Sequence, residues 1–311
     1  MKEKLLAKQA TAPTIDVRDA LERSVEDFLA DTDIRENSRT TYRRALRSFL
    51  AYLLDQKEGQ PTRETILAYK SEVAKRGLSA LTINAYLVAV RRWFAWLESK
   101  KVYPNIARNI RGARRRRGFG KEPLTAEQAR AILDMVDVST LQGKRDYAIL
   151  NLMLRTGLRT IEVVRANVED LRQESGQPVL YVHGKGRDTK DEFVLLTPEA
   201  LGPIHDYLAA RGKVQEGNPL FAGTGNRNRN GRLTTARIRG MVKAMLRKVH
   251  LNSRRFSAHS LRHTFATLAL RGGAPVEQVQ AACRHASIDT TMVYVHVLDR
   301  LSNGAEKYIA L

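Results

Sequence analysis

The sequence predicts a mainly α protein of two units, the second carrying a small antiparallel β-sheet. Three observations predict it. Apolar residues recur at helical spacing in four successive stretches before Lys100. A glycine-flanked run of arginines without a hydrophobic period then interrupts the pattern. Beyond it the helical period returns, broken by two short β-type runs around a glycine-bearing turn.

Residues 1–15 are polar, lack a hydrophobic period and read as a flexible arm. Val17, Leu21, Val25, Phe28 and Leu29 share one face of a first helix ending near Asp31. Asn37 and Ser38 offer N-cap chemistry to a second, with Tyr42, Leu46, Phe49, Leu50 and Leu53 as its apolar face. Pro61-Thr62 opens a third, with Ile66, Leu67, Tyr69 and Val73, and Gly77 stops it. Ser79 caps a fourth, in which Ile83, Tyr86, Leu87, Val90, Trp93, Phe94 and Leu97 form a strong stripe. Short loops join the four, so residues 16–103 are expected to form a compact helical unit.

Residues 104–122 read as a basic interdomain linker containing Arg114, Arg115, Arg116 and Arg117. A block of like charges repels itself and extends unless a polyanion neutralises it. The second unit, 123–311, opens on Thr125 and Gln128, spaced as a capping box. An apolar helix from Tyr147 ends at Thr156-Gly157, and Leu158-Arg159-Thr160-Ile161-Glu162 starts the next. Val179–Val182 and Phe193–Leu196 flank Gly184-Lys185-Gly186-Arg187-Asp188 as a β-hairpin with Lys185 at or near its tip. Pro198 begins another helix, Pro219-Leu220-Phe221 is a short extended piece, and helix resumes over Thr235–Lys248. The C-terminal stretch after Tyr294 carries apolar residues that suit docking on a partner subunit.

Charge narrows the partner. Fifty-three Lys and Arg against 33 Asp and Glu give +20, more than solubility needs, so a polyanion is expected. An anionic membrane is the rival, but no apolar run approaches the roughly 18 residues of a spanning helix. With no signal-peptide core near Met1, a cytoplasmic, nucleoid-associated location is expected. Arg39, Arg43, Arg44 and Arg47 on the second helix and Arg91 and Arg92 on the fourth suit phosphate contacts as a set, although any one of them could be an ordinary solvated arginine. The single cysteine, Cys283, excludes intramolecular disulfides and a thiolate zinc cluster and reads as a small buried apolar residue.

The chemistry concentrates near the C-terminus. His259 and Arg262, three apart on an expected helix, face the same way. His285 follows, and Tyr294 stands nine positions later at the end of a short helical run that could bring its phenol to the same spot. Guanidiniums clamp phosphates, imidazoles move protons near neutral pH, and tyrosine can act as a covalent nucleophile. Together these residue types point to phosphoryl transfer. Arg159, at a helix N-terminus, adds a second anion-binding arginine, and Glu162 is placed to hold it. No Gly-x-x-x-x-Gly-Lys-Ser/Thr loop and no acidic metal-binding motif is present, so no cofactor or metal is expected.

Taken as an ordered set, Thr156-Gly157-Leu158-Arg159 with Glu162, Gly184-Lys185-Gly186, His259-Ser260-Leu261-Arg262-His263-Thr264, and His285 with Tyr294 resemble the boxes of the tyrosine recombinases. These are the phage-integrase and Xer-like site-specific DNA recombinases, and the resemblance covers nearly the whole chain. It implies a four-helix, SAM-like core-binding domain and a catalytic domain that close as a C-shaped clamp on DNA. It implies that Arg159 and Arg262 clamp the scissile phosphate and that Lys185 protonates the leaving 5′ oxygen. His259 would assist proton transfer, His285 would hydrogen-bond the phosphate, and Tyr294 would attack to leave a 3′-phosphotyrosyl link, with Glu162 in support. His263 reads as a helix residue packed beside the site, outside that set.

The implied substrate is double-stranded DNA bearing inverted repeats. The implied assembly is a tetramer that passes through a Holliday junction and is joined by exchange of C-terminal tails, with room for a second recombinase or accessory protein. With about 15 residues ahead of the first helix and no separate arm-binding domain, dimer resolution or movement of a small mobile element is the expected task. A type IB topoisomerase and a non-catalytic architectural DNA-binding protein are the competing readings. One departure stands out: Cys283-Arg284 occupies the place of the family's usual Leu-Gly pair. Glycine there permits a left-handed turn that costs arginine roughly 1 kcal/mol, so the backbone before His285 is expected to differ.

Overall fold

The computed structural model describes residues 17–56, 60–114, 120–183 and 189–309. The expected arm at 1–15, Arg115, Arg116, Arg117 and the hairpin tip with Lys185 lie outside the described residues. The chain divides into two compact units, Met1–Arg117 and Gly118–Leu311.

The first unit contains helices α1 (Val17–Asp31), α2 (Glu36–Gln56), α3 (Arg63–Lys75) and α4 (Ala80–Ser99). Its core gathers around Phe49, which meets Tyr69, Trp93 and Phe94 edge-on at 4.9, 6.3 and 6.0 Å between ring centroids. Such edge-to-face pairs add about 0.5–1.5 kcal/mol each beyond the area they bury. Thr62 caps α3 through its side-chain oxygen, and Ser79 caps α4 in the same way, as the sequence suggests for the fourth helix. Helix α2 starts at Glu36, so Asn37 and Ser38 are helical rather than capping. Leu67, expected on the apolar face of α3, is exposed instead.

The start of the expected linker belongs to this unit. Ala107 and Ile110 are fully buried in the helical core. Asn84 on α4 grips Ala113 from both sides, Nδ2 donating to its carbonyl at 3.0 Å and Oδ1 accepting its amide at 2.6 Å. Arg63 and Lys70 on α3 cap the carbonyls of Arg108 and Arg111. Two apolar anchors plus side-chain caps hold this segment without any periodic pattern, which is why it reads as linker in the sequence.

The second unit contains α5 (Ala126–Asp134), α6 (Leu141–Thr156), α7 (Thr160–Arg165), β1 (Leu171–Glu174), β2 (Gln177–Val182) and β3 (Glu192–Leu195). Helices α8 (Pro198–Arg211), α9 (Thr235–Lys248), α10 (Ala258–Arg271), α11 (Val276–Cys283) and α12 (Asp289–Ser302) follow. The sheet is antiparallel in the order β1-β2-β3, with Leu171 opposite Leu180 and Leu180 opposite Val194. It has one strand more than the expected hairpin. Strand β1 is exposed along Arg172–Glu174 and so lacks alternation; its signal is the turn Ser175-Gly176, both with positive φ, as a two-residue hairpin turn requires.

Helix α6 runs through the core, where Ile149, Leu152 and Met153 are buried with Ile204 and Tyr207 of α8 and Leu261 of α10. A smaller cluster of Ala266, Val279, Cys283 and Tyr294, with Phe265 packed on it, joins α10, α11 and α12. Tyr294 lies in the middle of α12 rather than at the end of a short helix. Among the described residues no helix is long and apolar enough to cross a membrane.

Candidate active site

The site is assembled from the end of α6, the start of α7, the face of α10, and the turn between α11 and α12. Helix α6 closes on Gly157, whose φ of +64 ends the helix in the left-handed region. A Cβ at Gly157 would lie 2.6 Å from the ring of Phe265, so the position needs glycine for space as well as for conformation. The freed Gly157 carbonyl accepts Nη1 of Arg262 at 2.7 Å. Two residues later Arg159 is the N-cap of α7, and Glu162 Oε2 accepts its backbone N–H at 2.7 Å. Glu162 Oε1 accepts Arg159 Nη1 at 2.7 Å, the support expected of that carboxylate.

Helix α10 begins at a Ser257–Ser260 capping box and carries His259, Arg262 and His263. Arg262 is buried and also donates through Nη2 to the carbonyl of Cys283. Burial pushes its guanidinium down to about 10, which leaves it cationic at neutral pH. The backbone at Arg284 keeps the left-handed turn that glycine would take, with φ 51 and ψ 49, contrary to the expected departure. Arg284 pairs its own guanidinium with Glu162, Nη2 to Oε2 at 2.7 Å. Its carbonyl, turned by that conformation, accepts Nη2 of Arg159 at 3.0 Å. Burial alone would push the Glu162 carboxyl up, but the Arg284 charge and hydrogen bond, with the Arg159 amide, hold it below the usual range.

His285 is half-buried and pairs Nδ1 with Thr291 Oγ1 at 2.9 Å. Its ring lies parallel to that of Tyr294 at 6.5 Å. Tyr294 is 3% exposed, and its hydroxyl lies 2.5 Å from Nδ1 of His263. Burial raises the phenol above its ordinary value, against the Arg262 charge, which lowers it. Burial first, then His259, Arg262 and His285, lower His263 to about 4. The same effect of burial, with Arg262 and Arg159, brings His285 to about 4. Both imidazoles are therefore neutral at pH 7 and offer one acceptor and one donor nitrogen each. A groove of about 410 Å³ is lined by Arg159, Arg239, His259 and Arg262. It presents three guanidiniums and an imidazole, an arrangement suited to a phosphate anion.

Residues 122–300 match the phage integrase family, and residues 21–101 match the SAM-like N-terminal domain of phage integrases. The chain belongs to the tyrosine recombinases of that family. It is 29% identical over 303 residues to a tyrosine recombinase of Synechococcus elongatus, covering 93% of this chain and 92% of that protein. It is 30% identical over 283 residues to tyrosine recombinase XerC of Pelobacter propionicus, covering 89% and 90%. In fold it is similar to the XerH site-specific recombinase bound to a palindromic difH substrate, with a TM-score of 0.72 at 22% identity over 93% of this chain and 85% of that one. It is also similar to the Tn1549 transposon integrase in complex with transposon right end DNA, with a TM-score of 0.70 at 16% identity over 92% and 99%.

In this tyrosine recombinase the structure brings together Arg159, Glu162, His259, Arg262, His285 and Tyr294. Three residues beside them lie outside the expected set. His263, a packing residue by its sequence, touches the Tyr294 hydroxyl, and its position next to Arg262 on α10 is the signal for it. Arg284 stands in the sequence only as a departure from the family's pattern, and Arg239 on α9 carries no motif. Among the described residues, no three His, Cys, Asp or Glu side chains converge as metal ligands would.

The arginines of the first unit divide by their partners. Arg44, Arg47 and Arg114 are exposed, as is Arg92, which stacks 5.7 Å over the Tyr42 ring. Arg43 is paired with Glu26 at 2.7 Å, Arg39 with Glu36 at 3.5 Å, and Arg91 donates to the Ile110 carbonyl at 3.2 Å. Arg91 thus in part holds the chain that follows α4.

Proposed function

We propose that this recombinase cleaves and rejoins double-stranded DNA at a specific site through a 3′-phosphotyrosyl intermediate. The observation that carries the reading is that Arg159, Arg262 and His259 line one groove while His285 and His263, the latter packed on His259, hold the buried Tyr294. In the transition state negative charge grows on the equatorial phosphoryl oxygens. Guanidiniums already fixed to the Gly157, Cys283 and Arg284 carbonyls meet that charge without reorganising. Lys185 protonates the departing 5′ oxygen, His259 assists proton transfer, and His285 hydrogen-bonds the phosphate. Because the tyrosyl ester conserves the phosphodiester energy, the reaction needs no nucleotide.

Residues of the SAM-like unit, with Arg44, Arg47 and Arg92 on its surface, together with Arg114 and the arginines after it, contact DNA phosphates. Both units contact the duplex, and four protomers act on two sites through a Holliday junction. The exposed apolar residues Leu301, Tyr308 and Ile309 support exchange of C-terminal tails between protomers. The match to the phage-integrase SAM-like domain supports recombination over topoisomerase-type relaxation.

A nicked suicide duplex tests the reading. Duplexes tiled from the neighbouring genomic DNA are incubated with the protein, and a denaturing gel is read for a covalent adduct. An adduct that disappears in Tyr294→Phe is expected. Strand joining by Tyr294→Phe, or tight binding without an adduct on any native fragment, overturns it.

A further inference from the structure

The phosphate clamp accounts for the arginines but not for the 2.5 Å contact between the Tyr294 hydroxyl and Nδ1 of His263. We propose that His263 receives the Tyr294 proton as the phenol attacks, a catalytic role that rests on the recombination chemistry proposed above.

The placement follows from α10. His263 is the next residue after Arg262, so the helix turns its ring about 100° from the clamp and toward α12. There it is 8% exposed and meets Tyr294 at 5.6 Å between ring centroids. His259, one turn earlier, puts its ring at 84° to that of His263 at 4.6 Å and lines the groove with Arg262. His285 keeps Nδ1 on Thr291. Of the three imidazoles, His263 is the one whose nitrogen reaches the phenol, and geometry is the first requirement of a general base.

The step balances as follows. In the tautomer with hydrogen on Nε2, His263 Nδ1 takes the phenolic proton and becomes imidazolium. The phenolate oxygen forms a bond to phosphorus, and the bond from phosphorus to the 5′ oxygen breaks. That oxygen leaves with a proton from a general acid, the part assigned to Lys185. On rejoining, the 5′ hydroxyl returns its proton to that amine as it attacks, and the imidazolium returns its own to the Tyr294 oxygen.

The groups facing His263 tie this transfer to the substrate. Among the described residues they include His259 and Arg262 from α10, His285 from the turn before α12, and Tyr294 from α12, with Cys283 of α11 in the same cluster. Burial and these positive or polar neighbours keep the ring neutral in the DNA-free protein, so the contact then holds a neutral phenol. A phosphodiester anion seated on Arg159 and Arg262 offsets their charge and favours the imidazolium. The nucleophile is thus kept inactive until a phosphate is in place.

The test uses His263→Asn in the full chain, because the amide oxygen replaces Nδ1 as an acceptor but cannot carry the proton away. Expected is covalent-adduct formation on the suicide duplex slowed about 100-fold, with DNA affinity unchanged. Its rate should climb tenfold per pH unit as hydroxide replaces the imidazole, while the parent protein shows a flatter profile. A parent-like rate in His263→Asn, or an equal slowing at every pH, overturns the proposal. Histidine ¹⁵N NMR of the parent protein gives a check independent of any variant: an Nε2–H tautomer at His263 is expected, and a proton on Nδ1 overturns it. Tyr294→Phe separates the two levels, since loss of its adduct with a normal His263→Asn removes this role alone, while a surviving adduct removes the nucleophile assignment itself.

Discussion

Arg284 and Glu162, 122 positions apart in sequence, form a two-point ion pair, Nη2 to Oε2 at 2.7 Å and Nε to Oε1 at 3.3 Å. Both side chains are nearly sealed from solvent, at 5% and 3% exposure. The pair ties the end of α11 to α7, and it gives the arginine at a glycine-type position a reason to be there.

Glu162→Gln should therefore destabilise the second unit by about 3–5 kcal/mol, because it strands two guanidiniums that now share one carboxylate. Arg284→Gly should cost less, about 1–3 kcal/mol, since Arg159 still pairs with Glu162 and the left-handed backbone is relieved. Denaturant titration of the full-length variants checks both. A Glu162→Gln protein as stable as its parent would show that the pair adds nothing.

Acid should act on the same pair. Glu162 is held below its ordinary value in the folded chain, so its contribution is fully present above the unfolded carboxyl's range near 4.5 and is lost as pH falls through the lower folded value. The loss of stability below about pH 4.5 should accordingly be shallower in Glu162→Gln. Thermal melts from pH 6 to 3 of parent and variant measure the difference.

His263 affects a higher window. An unfolded chain protonates this ring near 6.5, whereas the folded chain resists until about 4. Stability should therefore fall between those values, by on the order of 3 kcal/mol at the acid limit. His263→Asn should flatten this segment of the pH–stability curve, and a curve that keeps its slope there would rule out this histidine as its source.

Gly157→Ala should both destabilise and inactivate. The new Cβ meets the Phe265 ring in a left-handed backbone, and the displaced carbonyl is the one holding Arg262. A stability loss of about 1–3 kcal/mol is expected. Adduct formation should drop further than that loss explains at temperatures where the variant remains folded, as a paired melt and cleavage assay would show.

Ile110→Ala probes the segment after α4. A fully buried isoleucine truncated to alanine costs about 2–5 kcal/mol, whereas a solvated linker residue would cost close to nothing. Denaturation of the first unit distinguishes the two outcomes.

The helices were legible where burial imposes a period. The α4 stripe from Ile83 to Leu97 and the caps Ser79 and Thr125 stand in the structure where the sequence puts them. The site was legible as far as residue type and order carry it, through the arginines, His259, His285 and Tyr294. What escaped depends on contacts between distant residues. Ile110 packs as a single anchor, β1 exposes most of its length, and His263 acquires its neighbour only when α12 folds against α10. The conformation of Arg284 escaped for a related reason: its local cost argues against the turn, and the compensating carboxylate comes from 122 residues away.

Cys283 bears on how the molecule can be studied. Its sulfur is fully buried beneath the arginine clamp, burial raises its thiol above the ordinary value, and the chain has no other cysteine. A maleimide reagent should therefore find the native surface blank. One cysteine introduced at exposed Glu22 and another at exposed Lys213 would then take a donor and an acceptor dye, making the native chain a ready scaffold for watching its two units by energy transfer as DNA arrives.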